Sequence, residues 1–180
     1  MATMTDIPAF TNEAFLDWSD PENVRRMEAA LEQVRSEFDR TYPLLIGGKK
    51  VTEGKRDTAT SPSKKDLVVG HTIRATADQA KEAIGAAAEA FKTWRKVPWE
   101  ERADYLFRAA DALRARRYEF AAIMVYEVSK SWSEADADVA ELIDFAEYYA
   151  REALRLGGPQ PVVQYPGERD EMRYIPLGVG

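Results

Sequence analysis

Residues 131–158, SWSEADADVAELIDFAEYYAREALRLGG, decide how the rest of the chain is read. Ser131 and Glu134 stand three apart, the spacing at which a serine hydroxyl and a glutamate carboxylate cap each other's backbone N–H groups. The sequence predicts one helix from there to about Leu156, stopped at Gly157-Gly158-Pro159, where glycine suits the turn after a helix and proline cannot continue it. Upstream, Leu106, Ala109, Ala110 and Leu113 form one apolar face after Pro98, and Phe120, Ile123, Met124 and Glu127 continue it. The period breaks at Arg114-Ala115-Arg116-Arg117, which predicts two helices in series. Thr76 with Gln79 makes a second capping box, opening a helix from Ala77 to about Trp94 with Ala80, Ile84, Ala87, Ala88 and Phe91 along one side.

Further upstream the period shortens. Leu67 to Ile73 reads as a strand after the Ser61-Pro62-Ser63 breaker. Pro43-Leu44-Leu45-Ile46 and Lys49-Lys50-Val51 read as two strands around Gly47-Gly48, a turn whose positive φ suits glycine. Gly47-Gly48-Lys49 lacks the spacing of a phosphate-binding loop, and no helix follows it. Ser19-Asp20-Pro21-Glu22 supplies a cap and a first-turn proline for a helix to about Arg40, striped by Val24, Met27, Leu31, Val34 and Phe38. Residues 1–18 read as irregular. Downstream, Pro161 to Tyr165, a turn at 166–170, and Met172 to Leu177 read as a second hairpin running straight into Gly178-Val179-Gly180. A bare hairpin needs a partner sheet, because unpaired edges and an apolar face are costly to expose.

Composition narrows the function classes. The 180 residues are 45% hydrophobic and 31% charged, with net charge −6. These values suit a globular protein, and no apolar run approaches the roughly 20 residues of a membrane helix. Basic residues alternate with acids along the helices, which argues against a nucleic-acid partner. The first twenty residues lack a basic and then apolar leader, so a cytoplasmic location is expected. There is no cysteine, which excludes a thiol nucleophile or thiolate metal site within these residues. The single histidine, His71, cannot form a histidine cluster and reads as a structural or exposed strand residue.

Taken in order, several segments resemble the N-terminal region of the aldehyde dehydrogenase superfamily. They are Leu45-Ile46-Gly47-Gly48, the Ser-Pro before Val68-Val69-Gly70, Ala90-Phe91 with Trp94, Glu101-Arg102 followed by Leu106, Ala109-Ala110 and Leu113, then Glu127-Val128-Ser129-Lys130, Tyr148-Tyr149-Ala150 and Pro176-Leu177-Gly178-Val179-Gly180. The family usually has Asn-Pro where Ser61-Pro62 stands and Gly-Lys where Ser129-Lys130 stands, and the second departure bears on the turn after the helix. The approach Phe38 to Leu44, the run Ala135 to Tyr149, and Tyr165-Pro166-Gly167-Glu168 resemble the 1-pyrroline-5-carboxylate, or L-glutamate 5-semialdehyde, branch. Other semialdehyde and betaine-aldehyde dehydrogenases share the scaffold and stand as the nearest alternative.

The resemblance implies an α/β fold, the N-terminal part of the aldehyde dehydrogenase fold, mostly helical with short β-hairpins. It implies an N-terminal extension with an amphipathic helix at 1–41 and the first part of the NAD-binding domain at 42–158. Residues 159–180 would form an oligomerisation hairpin and the start of a further strand. Family members attack an aldehyde with a cysteine, pass hydride to NAD and hydrolyse the thioester. The resemblance places those residues beyond Gly180, so no catalytic, cofactor-binding or metal-binding residue is expected here; NAD is the cofactor expected of the complete enzyme, and these residues alone are expected to be inactive and to hold no cofactor. A stand-alone interaction module is the competing expectation. By the same resemblance Glu141, with Phe145 four residues on, occupies the helix position lining the aldehyde entrance. The residues themselves leave open an ordinary solvated carboxylate among Asp138, Asp144 and Glu147. Homo-oligomerisation through 159–177 is the implied partner interaction.

Overall fold

The computed structural model describes residues 7–180. Its first helix, α1 (Pro21–Ser36), begins where the sequence predicts, with the Asp20 carboxylate accepting from the Glu22 N–H. It ends earlier than expected. The chain tightens at Glu37 and Phe38 into bonds with the Val34 and Arg35 carbonyls, and Asp39 turns to a left-handed φ of 65°. That turn releases β1 (Thr41–Tyr42) in the direction of the strands.

The core sits between α1, α3 (Trp99–Ala115), α4 (Arg117–Val128) and α5 (Trp132–Gly157). Met27, Ala30 and Val34 of α1 meet Ala121 and Ala122 of α4, Ala110 of α3, and Ala135, Val139 and Ile143 of α5. Alanine at so many contact positions lets the helix axes approach closely, while Met27, Val139 and Ile143 fill the space between them. A second small cluster joins Ala103 of α3 to Ala150 and Leu154 of α5, with Ile7 and Phe107 against it. α5 therefore packs along both α3 and α4, as its long apolar stripe requires.

Five short strands form two sheets. β2 (Leu44–Ile46) and β3 (Lys49–Val51) make the expected antiparallel hairpin, with Gly47 and Gly48 at φ 56° and 77° in its turn. β4 (Lys55–Ser61) and β5 (Lys64–Arg74) form a longer hairpin, and β1 adds to β5 in parallel. The expected strand at 67–73 lies within β5, but the breaker before it is itself the hairpin turn. β4 escapes the sequence reading because Lys55-Arg56-Asp57-Thr58-Ala59-Thr60 offers no apolar alternation and is mostly exposed.

α2 (Ala77–Trp94) carries the predicted capping box, yet buries no residue. Ile84, in the middle of its apolar side, is 62% exposed. The second hairpin is a correction. A turn forms, with the Glu168 N–H donating to the Tyr165 carbonyl and the Gln164 amide pairing with the Asp170 backbone, but residues 159–180 contain no strand. Two arms with no third strand or helix to cover their apolar residues lack the support that a ladder needs. Val163, Tyr165, Tyr174, Ile175 and Leu177 all remain exposed. Among the described residues, no helix is long and apolar enough to cross a membrane.

The end of α5 yields a prediction. A Cβ built on Gly157 would lie 2.1 Å from Cδ2 of the Trp99 indole, so Gly157→Ala must displace that ring. The expected result is a loss of about 1–3 kcal/mol in unfolding free energy together with a shifted tryptophan emission maximum. An unchanged emission spectrum in a folded variant would contradict the close packing of Trp99 on α5.

Candidate functional site

The site is built on α5. Ser131 accepts from the Glu134 N–H at 3.3 Å while the Glu134 carboxylate accepts from the Ser131 N–H at 3.1 Å, so the helix start is fixed on both sides. From this start, Ala135, Asp136, Val139, Ala140, Ile143, Ala150 and Leu154 turn inward. The opposite side carries Glu141, Leu142, Phe145, Tyr148 and Tyr149, all exposed. Phe145, 49% exposed, stacks on Tyr149 with ring centroids 5.9 Å apart. Glu141 lies one turn before Phe145 on this face, and among the described residues it makes no hydrogen bond or ion pair. The two candidates are thus brought to one apolar and aromatic face carrying a single free carboxylate.

The neighbouring acids, which the sequence left as possible solvated carboxylates, have structural partners. Asp138 pairs with Lys130. Asp144 accepts from the Asn12 side chain and the Glu13 N–H, both at 2.7 Å, and so holds the irregular N-terminal arm. Glu147 binds Arg114 at 2.7 Å and Arg151 at 2.5 Å, and Arg114 also reaches Glu13 at 2.9 Å. Asp136, only 1% exposed, receives Arg117 at 2.6 Å on one oxygen and the Leu16 N–H at 2.8 Å on the other. The second terminal nitrogen of Arg117, Nη2, is buried without a partner among the described residues.

Periodicity within one helix does not reveal these pairs, because the partners lie on different helices. A usable signal existed: Asp136 and Glu147 fall in step with Val139, Ile143, Ala150 and Leu154, on the side of the helix that must be buried. A charged residue there needs a partner. Arg114 and Arg117, at the α3–α4 junction, are the cations that meet them.

Burial alone would raise the Glu147 carboxyl, but hydrogen bonds from Arg151 and Arg114 outweigh it and hold the group below its ordinary 4.5. The same pairing with Glu13 and Glu147 outweighs burial at Arg114 and raises that guanidinium. A depressed carboxyl contributes stability that is complete above the unfolded-state value, about 4.3, and that disappears as pH falls through the folded value. Glu147→Gln should therefore lower the urea midpoint at pH 7 and converge on the parent protein in acid. A constant difference across that range would show that Glu147 acts by packing alone.

His71 lies in β5 with its side chain mostly covered. Nε2 meets Asp39 at 2.6 Å and Nδ1 meets Thr58 at 3.0 Å, tying the loop after α1 to both strands. Ser129, where the resembled pattern has glycine, takes the left-handed cap of α4 at φ 58°. Its hydroxyl accepts from the Ser63 N–H at 3.0 Å and so joins the β4–β5 turn to the helices. No group of three or more acidic or histidine side chains suited to a metal occurs among the described residues.

Residues 50–180 fit the aldehyde dehydrogenase family profile, and the chain belongs to that family. Within it, the chain is 45% identical over 174 residues to 1-pyrroline-5-carboxylate dehydrogenase of Geobacillus sp. strain WCH70, covering 97% of this chain and 34% of that protein. The fold is similar to the crystal structure of 1-pyrroline-5-carboxylate dehydrogenase from Thermus with bound NAD, at TM-score 0.91 and 48% identity over 95% of this chain and 33% of the other. The Mycobacterium tuberculosis Δ-pyrroline-5-carboxylate dehydrogenase bound with NAD gives TM-score 0.80 at 30% identity, covering 91% and 31%. The chain spans about a third of the length of these relatives.

Proposed function

We propose that these residues are the N-terminal scaffold of a dehydrogenase that oxidises L-glutamate 5-semialdehyde, the open form of 1-pyrroline-5-carboxylate, to L-glutamate with NAD. The observation that carries the reading is the 45% identity to 1-pyrroline-5-carboxylate dehydrogenase over 97% of the chain. In this reading Glu141 and Phe145 line the approach of the aldehyde, and residues 42–158 are the first part of the nucleotide-binding domain. The exposed apolar arms at 159–177 serve homo-oligomerisation by adding to a neighbouring sheet edge.

The residues here do not fit the reaction centre or the cofactor. The chain has no cysteine to form a thiohemiacetal. Gly47-Gly48 joins two strands and Gly157-Gly158 ends a helix, so neither supplies the glycine turn at a helix N-terminus that would cradle the NAD pyrophosphate. The role assigned to this chain is support and substrate approach, with no chemical step.

The test exchanges parts with the Geobacillus relative. Residues 1–180 alone, incubated with NAD and L-glutamate 5-semialdehyde, should produce no NADH. Joined to the remaining two thirds of that relative in place of its own matching third, they should produce NADH at a rate within tenfold of the parent enzyme. A soluble, folded chimera without turnover would reject the reading.

A further inference from the structure

The N-terminal arm does more than cover α5. Pro8 offers its carbonyl to Arg151 at 3.0 Å, and Asn12 and Glu13 clamp Asp144. Phe10 lies between these two fastenings, half buried, with its ring edge-on to Tyr148 at 5.5 Å and 77°. Tyr148 is in turn edge-on to Tyr149 at 5.5 Å and 79°, and Tyr149 stacks on Phe145 at 5.9 Å and 17°. Four rings thus run in unbroken contact from the arm to the face that carries Glu141.

Edge-on and offset-stacked rings are held by their quadrupoles as well as by area, so each ring's orientation constrains the next. Phe145 is about half exposed and has Tyr149 as its only ring neighbour among the described residues. The ring contact that bears on its rotamer therefore comes from the Tyr149 side. Tyr149 contacts Tyr148, and Tyr148 contacts the Phe10 ring, whose segment is tied to α5 at Pro8, Asn12 and Glu13.

We propose that Phe10 is a positioning residue for Phe145, acting through Tyr148 and Tyr149, and so helps set the shape of the aldehyde approach. The shape argument rests on the function proposed above; the ring coupling does not. An aliphatic side chain of similar size at position 10 would still cover Tyr148 but would lack the ring edge. Phe10→Leu therefore separates positioning from simple coverage, and Phe10→Tyr retains the coupling.

The experiment is fluorine NMR on the full 180-residue chain with 4-fluorophenylalanine at its seven phenylalanines, the Phe145 signal being identified by its loss in Phe145→Leu. Phe10→Leu should move the Phe145 signal by more than its linewidth, and Phe10→Tyr should leave it in place. Tyr148→Leu, which preserves a good helix former on α5, breaks the chain of rings in its middle and should also move the signal. Val34→Ala, a lesion on the α1 side of the helical core, should lower the unfolding midpoint without moving it. A Phe145 signal that ignores Phe10→Leu or Tyr148→Leu, or that follows Val34→Ala equally, would overturn the proposal. None of these readings requires turnover, so the outcome is separate from that of the substrate assignment. In the active chimera, Phe10→Leu should raise the KM for the aldehyde roughly three- to tenfold with kcat retained.

Discussion

Asp136→Ala is expected to lower the unfolding free energy by about 3–5 kcal/mol, the range for breaking a buried ion pair from one side. The substitution removes the close acceptor of two groups and leaves Arg117 with Glu13 at 3.6 Å. Arg117, already buried with Nη2 unpartnered, loses its bond at Nε, and the Leu16 N–H loses its acceptor. Because Asp136 joins α5 to both α4 and the arm, the loss should also loosen residues 7–18, visible as faster amide exchange at Leu16. The paired change Arg117→Met with Asp136→Leu removes both charges and should restore much of the stability, though not all, since Leu16 stays unsatisfied. Urea denaturation followed by circular dichroism measures each difference. A cost below about 1 kcal/mol for Asp136→Ala would mean that this pair does not hold the helices together.

The second large effect concerns activity. In the chimera, Glu141→Ala should reduce kcat/KM for L-glutamate 5-semialdehyde roughly ten- to hundredfold, as expected when a charge-assisted contact is lost. The effect on stability should stay within about 0.5 kcal/mol, because Glu141 is exposed and unpaired among the described residues. That contrast makes the substitution informative: Asp138, Asp144 and Glu147 share its helix and charge but are committed to Lys130, to the arm and to two arginines. Asp138→Ala serves as the control and should leave kcat/KM within about twofold, since Asp138 is committed to a partly buried pair with Lys130. Equal kinetics for Glu141→Ala and the parent chimera would remove Glu141 from the substrate approach.

What could be read from the sequence follows from where the physics is local. Capping boxes at Thr76–Gln79 and Ser131–Glu134 depend on residues three apart, and both stand in the structure. The Gly47-Gly48 turn is equally local. β4 was not legible because a strand on an exposed edge carries no apolar alternation, and its pairing is decided by β5 instead. The 166–170 turn was legible, but strand pairing across it depends on surfaces that the turn residues do not specify. At the site, the apolar spacing around Glu141 and Phe145 gave their common face. That Asp136 and Glu147 need partners is legible from their place in the buried stripe of α5, but not which partners, because Asn12, Glu13, Arg114 and Arg117 reach α5 from distant parts of the chain. The ring sequence from Phe10 to Phe145 has the same character: three of its members share a helix, and the fourth lies 138 residues from Tyr148.

The most direct measurement is the ratio of kcat/KM for L-glutamate 5-semialdehyde to that for betaine aldehyde in the chimera carrying residues 1–180. Assignment to the 1-pyrroline-5-carboxylate branch predicts a ratio of at least about a hundredfold, below the roughly 10⁴-fold that fully built polar substrate contacts can reach. A chimera that is folded and active but prefers betaine aldehyde would contradict it.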